Sequence, residues 1–71
     1  MDKYEEINKS MRNLIESEQA KMLDERLYKD VQELHSRASK LIDEKGDQKI
    51  LHEIMIEMRN IIVEGNNSVS E

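Results

Sequence analysis

Residues 44–65 read EKGDQKILHEIMIEMRNIIVEG, and this stretch decides the fold. Its two glycines, Gly46 and Gly65, are the only glycines in the chain, and proline is absent. Nine of the eighteen residues between them are large and apolar, in a chain with 38% charged residues. Gly46 follows Glu44-Lys45, where the C-terminal end of a helix dipole favours a lysine. A glycine there is expected to take the left-handed conformation that ends a helix. Asp47 comes next and can cap a new helix by accepting bonds from its free backbone N–H groups. EKGD therefore predicts a tight turn joining two antiparallel helices.

At about 100° per residue, Ile50, Leu51, Ile54, Met55, Met58, Ile61 and Ile62 fall on one arc about 140° wide. That arc is a core face. At roughly 1.5–3 kcal/mol per fully buried side chain, it is the largest expected source of stability. Ile56 and Val63 lie off the arc, one heptad apart and beside His52. They form a second ridge, expected to touch another helix or another chain.

Upstream, Ala20, Leu23, Leu27, Val31, Leu34, Ala38, Leu41 and Ile42 share a face about 100° wide. This face is the natural mate of the last helix across the turn. Further back, Tyr4, Ile7, Met11 and Leu14 have the 3-4-3 spacing of an amphipathic helix. On one straight helix their stripe would point roughly 180° away from the later one. The reversal falls across Glu16-Ser17-Glu18-Gln19. Either the chain breaks near Ser17, which could serve as an N-cap, or it stays helical and its halves face different partners. An unbroken helix over residues 3–44 would run about 63 Å, and the last helix would cover less than half of it.

The expected fold is all-α: a helical hairpin turning at Gly46, with an N-terminal helix separate from or continuous with the middle one. Helices are expected at about residues 3–16, 18–44 and 48–64, in one domain spanning 1–64, with 65–71 as a flexible tail. A 71-residue domain buries only about 60% of its unfolded surface. The absence of cysteine leaves oligomerisation or a partner as the usual remedy. A small bundle, coiled-coil-like and dimeric, is expected.

Composition narrows the function. MDKYEEINKS has no apolar signal-peptide core, and the longest large-apolar run is three residues, against the roughly 20 of a membrane span. A cytoplasmic protein is the expectation. The net charge of −5 comes from 16 acidic and 11 basic residues of interspersed sign. That balance disfavours a phosphate backbone as partner. Arg37, Lys40, Lys45 and Lys49 are the nearest approach to a basic cluster, diluted by Asp43, Glu44 and Asp47, and neither Phe nor Trp is present for base stacking. A nucleic-acid-binding regulator working as a helical dimer is the alternative reading.

His35 and His52 have no ligand spacing on a shared helix face, so neither metal nor cofactor is expected. Ser36 is adjacent to His35 on a helix and points away from it, Ser39 follows one turn on, and no phosphate loop or nucleophile elbow occurs. Catalytic residues are therefore not assigned. Glu53, Glu57 and Glu64 form an acidic, solvated stripe. The hairpin with its KG turn resembles the small phosphatases that act on phosphorylated response regulators in spore formers. Their Ser-x-x-x-Asp-type signature is missing from LHEIMIEMRN, so the resemblance implies no such activity here. Size and helicity are also similar to small secretion chaperones and phage regulators, a bacterial or phage flavour. The expectation is a non-enzymatic protein–protein interaction module: a regulator, adaptor or chaperone. It would bind a second copy or a heterologous chain through Tyr4, Ile7, Met11, Leu14, Met22, His52, Ile56 and Val63.

Overall fold

The computed structural model describes residues 2–69. Four helices follow in order: α1 over Lys3–Glu16, α2 over Glu18–Lys21, α3 over Glu25–Asp43 and α4 over Gln48–Val69. α3 and α4 pack most extensively, and α1 lies against both. The result is a three-helix bundle, 40 × 20 × 16 Å, with the single turn α2 at one end.

The first helix folds back, and the stripe reversal is its cause. Ser17 is extended (ψ 156°), which breaks the helix after Glu16. Its hydroxyl donates to the Leu14 carbonyl at 2.6 Å and accepts from the Ala20 N–H at 3.2 Å, serving the end of α1 and the start of α2 together. The expected middle helix over 18–44 is not continuous either. A second break falls at Asp24 (ψ 161°), whose carboxylate accepts from the Leu27 N–H at 2.9 Å. Neither corner uses glycine or proline. A short polar side chain offers the backbone an alternative to the helical bond at each.

Each end of the bundle is tied. At one, the Tyr4 hydroxyl donates to the Gly46 carbonyl at 2.7 Å, and Lys45 sits 5.2 Å from the Tyr4 ring centroid and 3.5 Å from the Asp2 carboxylate. At the other, the Asn66 amide donates to the Gln19 carbonyl at 3.0 Å. α1 therefore runs alongside α4 and opposite to α3.

The turn after α3 forms where expected, but its left-handed residue is Lys45 (φ 56°), not Gly46. The Gly46 N–H donates to the Leu41 carbonyl at 2.8 Å and the Lys45 N–H to the Ile42 carbonyl at 3.1 Å. This bond pair closes a helix around one left-handed residue. Glycine at 46 serves packing instead: a Cβ there would make the end of the Leu41 side chain shift. Asp47 caps α4, accepting from the Lys49 N–H at 2.8 Å.

The core unites the stripes of all three long helices. Ile7 and Met11 come from α1, Val31 and Ala38 from α3, and Leu51, Ile54, Met58 and Ile62 from α4, with Ala20 and Leu23 from the corner. Ala38 is fully buried and lets its neighbours approach closely. Ile50, at the edge of the expected arc, is exposed instead. The other departure is at the end of α4. Gly65 does not stop the helix, and the tail expected from residue 65 is helical through Val69. Gly65 is buried, and a Cβ on it would collide with Leu23 and come within 3.1 Å of Leu27. Its smallness seats the α2–α3 corner against α4.

Candidate functional site

The folding-back of α1 spends most of the first expected binding stripe. Ile7 and Met11 are core, and Tyr4 is half-buried and engaged with the turn, so none of the three offers a free apolar surface. Leu14, in the last turn of α1, is different. It is only partly buried and lines a groove between α1 and α4.

α4 supplies the other wall. Ile56 and Val63 are 52% and 50% exposed, which places them outside the core as their position off the main arc implied. They stand one heptad apart on the same side of the helix. Between them lies Arg59, three residues after one and four before the other. Met55 and Ile62, where the core face meets this ridge, form the floor. Ser10 and Asn13 from α1, with Ser17 and Gln19 from the corner, complete a polar, uncharged rim. Two features read separately from the sequence, Leu14 and the Ile56–Val63 ridge, thus meet in one open groove of about 620 Å³.

Arg59 is the one charged side chain in this lining. It is exposed and, among the described residues, makes no ion pair. The sequence reading gave Arg59 no role. The signal was its 3-4 spacing between the two ridge residues. His52 is exposed one turn before Ile56 and is not part of the lining. Met22, 65% exposed at the end of α2, also stands outside it.

The remaining polar groups are dispersed. His35 on α3 is half-buried, and its Nε2 is the one buried side-chain nitrogen or oxygen without a hydrogen-bond partner among the described residues. No group of three or more His, Cys, Asp or Glu side chains among the described residues could hold a metal ion. Arg37, Lys40, Lys45 and Lys49 are all exposed, with Lys45 drawn toward Asp2 and Tyr4. A second, smaller cleft is lined by Asp30, Glu33, Leu34, Arg37 and Ile61, where charges of both signs leave little apolar floor. No described helix is long and apolar enough to cross a membrane.

No family model, curated protein or solved structure matches this chain.

Proposed function

We propose that the protein is a non-catalytic interaction module that docks another polypeptide in the α1–α4 groove. The observation that carries this reading is the convergence of Leu14, Ile56 and Val63 on one open surface with an apolar floor. Exposed apolar residues scattered singly need no explanation, but Ile56 and Val63 share one groove with Leu14 and an apolar floor. The groove is about 12 Å long between Met55 and Val63, at 1.5 Å per residue. That length suits two or three turns of a helix, read through anchors at i, i+3 or i+4 and i+7. Such a module works as a regulator, adaptor or chaperone by helix-face packing.

The test is to replace Ile56 and Val63 with aspartate, singly and together. Circular dichroism and thermal unfolding report the fold, and the fluorescence of anilinonaphthalene sulfonate, an apolar-site dye, reports the groove. The expected outcome is unchanged helicity, a midpoint within a few degrees of the parent, and loss of dye binding. A collapse of the midpoint would instead make both residues part of the core. A nucleic-acid partner would announce itself as salt-sensitive binding that falls when Arg37 and Lys40 are neutralised.

A further inference from the structure

We infer that the occupant of the groove is a short amphipathic helix whose apolar face carries one carboxylate, seated so that the acid meets Arg59. This deepens the interaction-module reading and rests on it.

The argument is one of charge. The groove offers leucine, isoleucine, methionine and valine side chains, neutral rim groups and a single cation. Arg59 stands at the middle of the patch, between Ile56 and Val63. A helix laid over these residues would strip water from the guanidinium, and an unmet buried charge is costly. A carboxylate answers it with paired N–H···O bonds of fixed geometry. The acidic side chains of α4, Glu53, Glu57 and Glu64, lie outside the lining, so none is placed to satisfy Arg59 from within the groove. With a net charge of −5, a broadly acidic partner would be repelled at long range. The acid is therefore specified locally, over Arg59, on an otherwise neutral or basic helix.

The same residue argues against a second copy. An interface between two identical patches is self-facing about a two-fold axis, so the centre of the patch meets itself. Here the centre is Arg59, and a symmetric dimer would set two guanidinium groups together. Like-charge juxtaposition in an interface is strongly unfavourable. The ridge of Ile56 and Val63 would favour such a dimer by shape, and its central charge opposes it.

The experiment uses two synthetic, helix-stapled peptides of about three turns. Each presents leucines at i, i+4 and i+7 on an alanine–glutamine background. One carries glutamate at i+3 and its twin carries lysine there. Binding to the full chain is followed by amide chemical shifts, for the parent and for Arg59→Glu. The parent is expected to bind the glutamate peptide about tenfold more tightly than the lysine peptide, with shifts at Leu14, Ile56 and Val63. Arg59→Glu, an exposed helix position, is expected to keep the fold and invert the preference. Equal binding of both peptides in the groove overturns the inference and leaves the module reading standing. A parent dimer in light scattering that Ile56→Asp dissolves does the same, because the second copy is then the occupant. Absence of groove shifts with either peptide also overturns the inference. The module reading falls with it only if the dye test fails too.

Discussion

Ser17 shows how much one hydroxyl can decide. Helix propensity alone favours a continuous path through Glu16-Ser17-Glu18-Gln19-Ala20-Lys21, since Glu, Gln, Ala and Lys are good helix formers. Ser17 offers the chain a competing solution, accepting from Ala20 and donating to Leu14. Burial then chooses between them. With the break, Met11 and Ala20 are both fully buried in one core, which a straight helix could not achieve because their faces would oppose. Removing the hydroxyl leaves that burial in place and takes away the cap. Ser17→Ala is therefore expected to cost about 1 kcal/mol, as other N-cap serines do, and to lower the thermal midpoint by about 4–8 °C. Ser17→Gly should cost less, because glycine is itself a tolerable N-cap. Equal midpoints for the parent and Ser17→Ala, in a thermal melt followed by circular dichroism, would show that the corner is held by packing alone.

At the scale of the elements, the α3–α4 hairpin was legible and the ends of helices were not. EKGD announced the turn through a lysine, a glycine and a capping aspartate, all of which serve it, although Lys45 rather than Gly46 takes the left-handed conformation. The stripes of α3 and α4 named their share of the core almost residue for residue, whereas the α1 stripe, expected to meet a partner, put Ile7 and Met11 into the core. The break at Asp24 was missed because Leu23 and Leu27 keep helical spacing across it. Nothing local distinguishes that aspartate from an exposed helix residue. Gly65 misled for a related reason: glycine signals both a helix stop and a close contact, and only the tertiary neighbours, Leu23 and Leu27, separate the two. The groove was legible in pieces, since Leu14 and the Ile56–Val63 ridge were singled out. Their meeting depended on the fold-back, which the sequence left open. The close contact gives a test by double-mutant cycle. Gly65→Ala gains about 1 kcal/mol of helix propensity, opposed by the collision with Leu23. In a Leu23→Ala background that collision disappears. The two substitutions are expected to be coupled by about 0.5–3 kcal/mol in urea unfolding, with alanine at 65 better tolerated when Leu23 is absent. Additive free energies would mean that Leu23 swings aside without cost and that Gly65 is not a packing requirement.

For the whole molecule, the question raised by so many apolar stripes on so small a chain is what covers them. The sequence pointed to a dimer on two grounds: so small a domain without cysteines commonly gains stability by oligomerising, and a long continuous helix would leave much of its apolar surface open. Folding back removes the second. α1 lays Ile7 and Met11 against the hairpin, α3 contributes Val31 and Ala38, and α4 contributes Leu51 and Met58, all buried within one chain. What remains outside is chiefly the ridge of Ile56 and Val63 beside Leu14, with Met22 and Ile50 standing apart from it. A two-fold dimer centred on that ridge would bring Arg59 against its own copy. The isolated chain is therefore expected to be a monomer. Light scattering on a sizing column should give a mass near 8.4 kDa, constant over a roughly hundredfold concentration range, because a self-association equilibrium would shift with concentration by mass action. A mass climbing toward twice that value would place a second copy on the groove despite the charge at its centre. The ridge would then be holding the protein to itself, and any outside partner would have to dock on the faces that such a dimer leaves open.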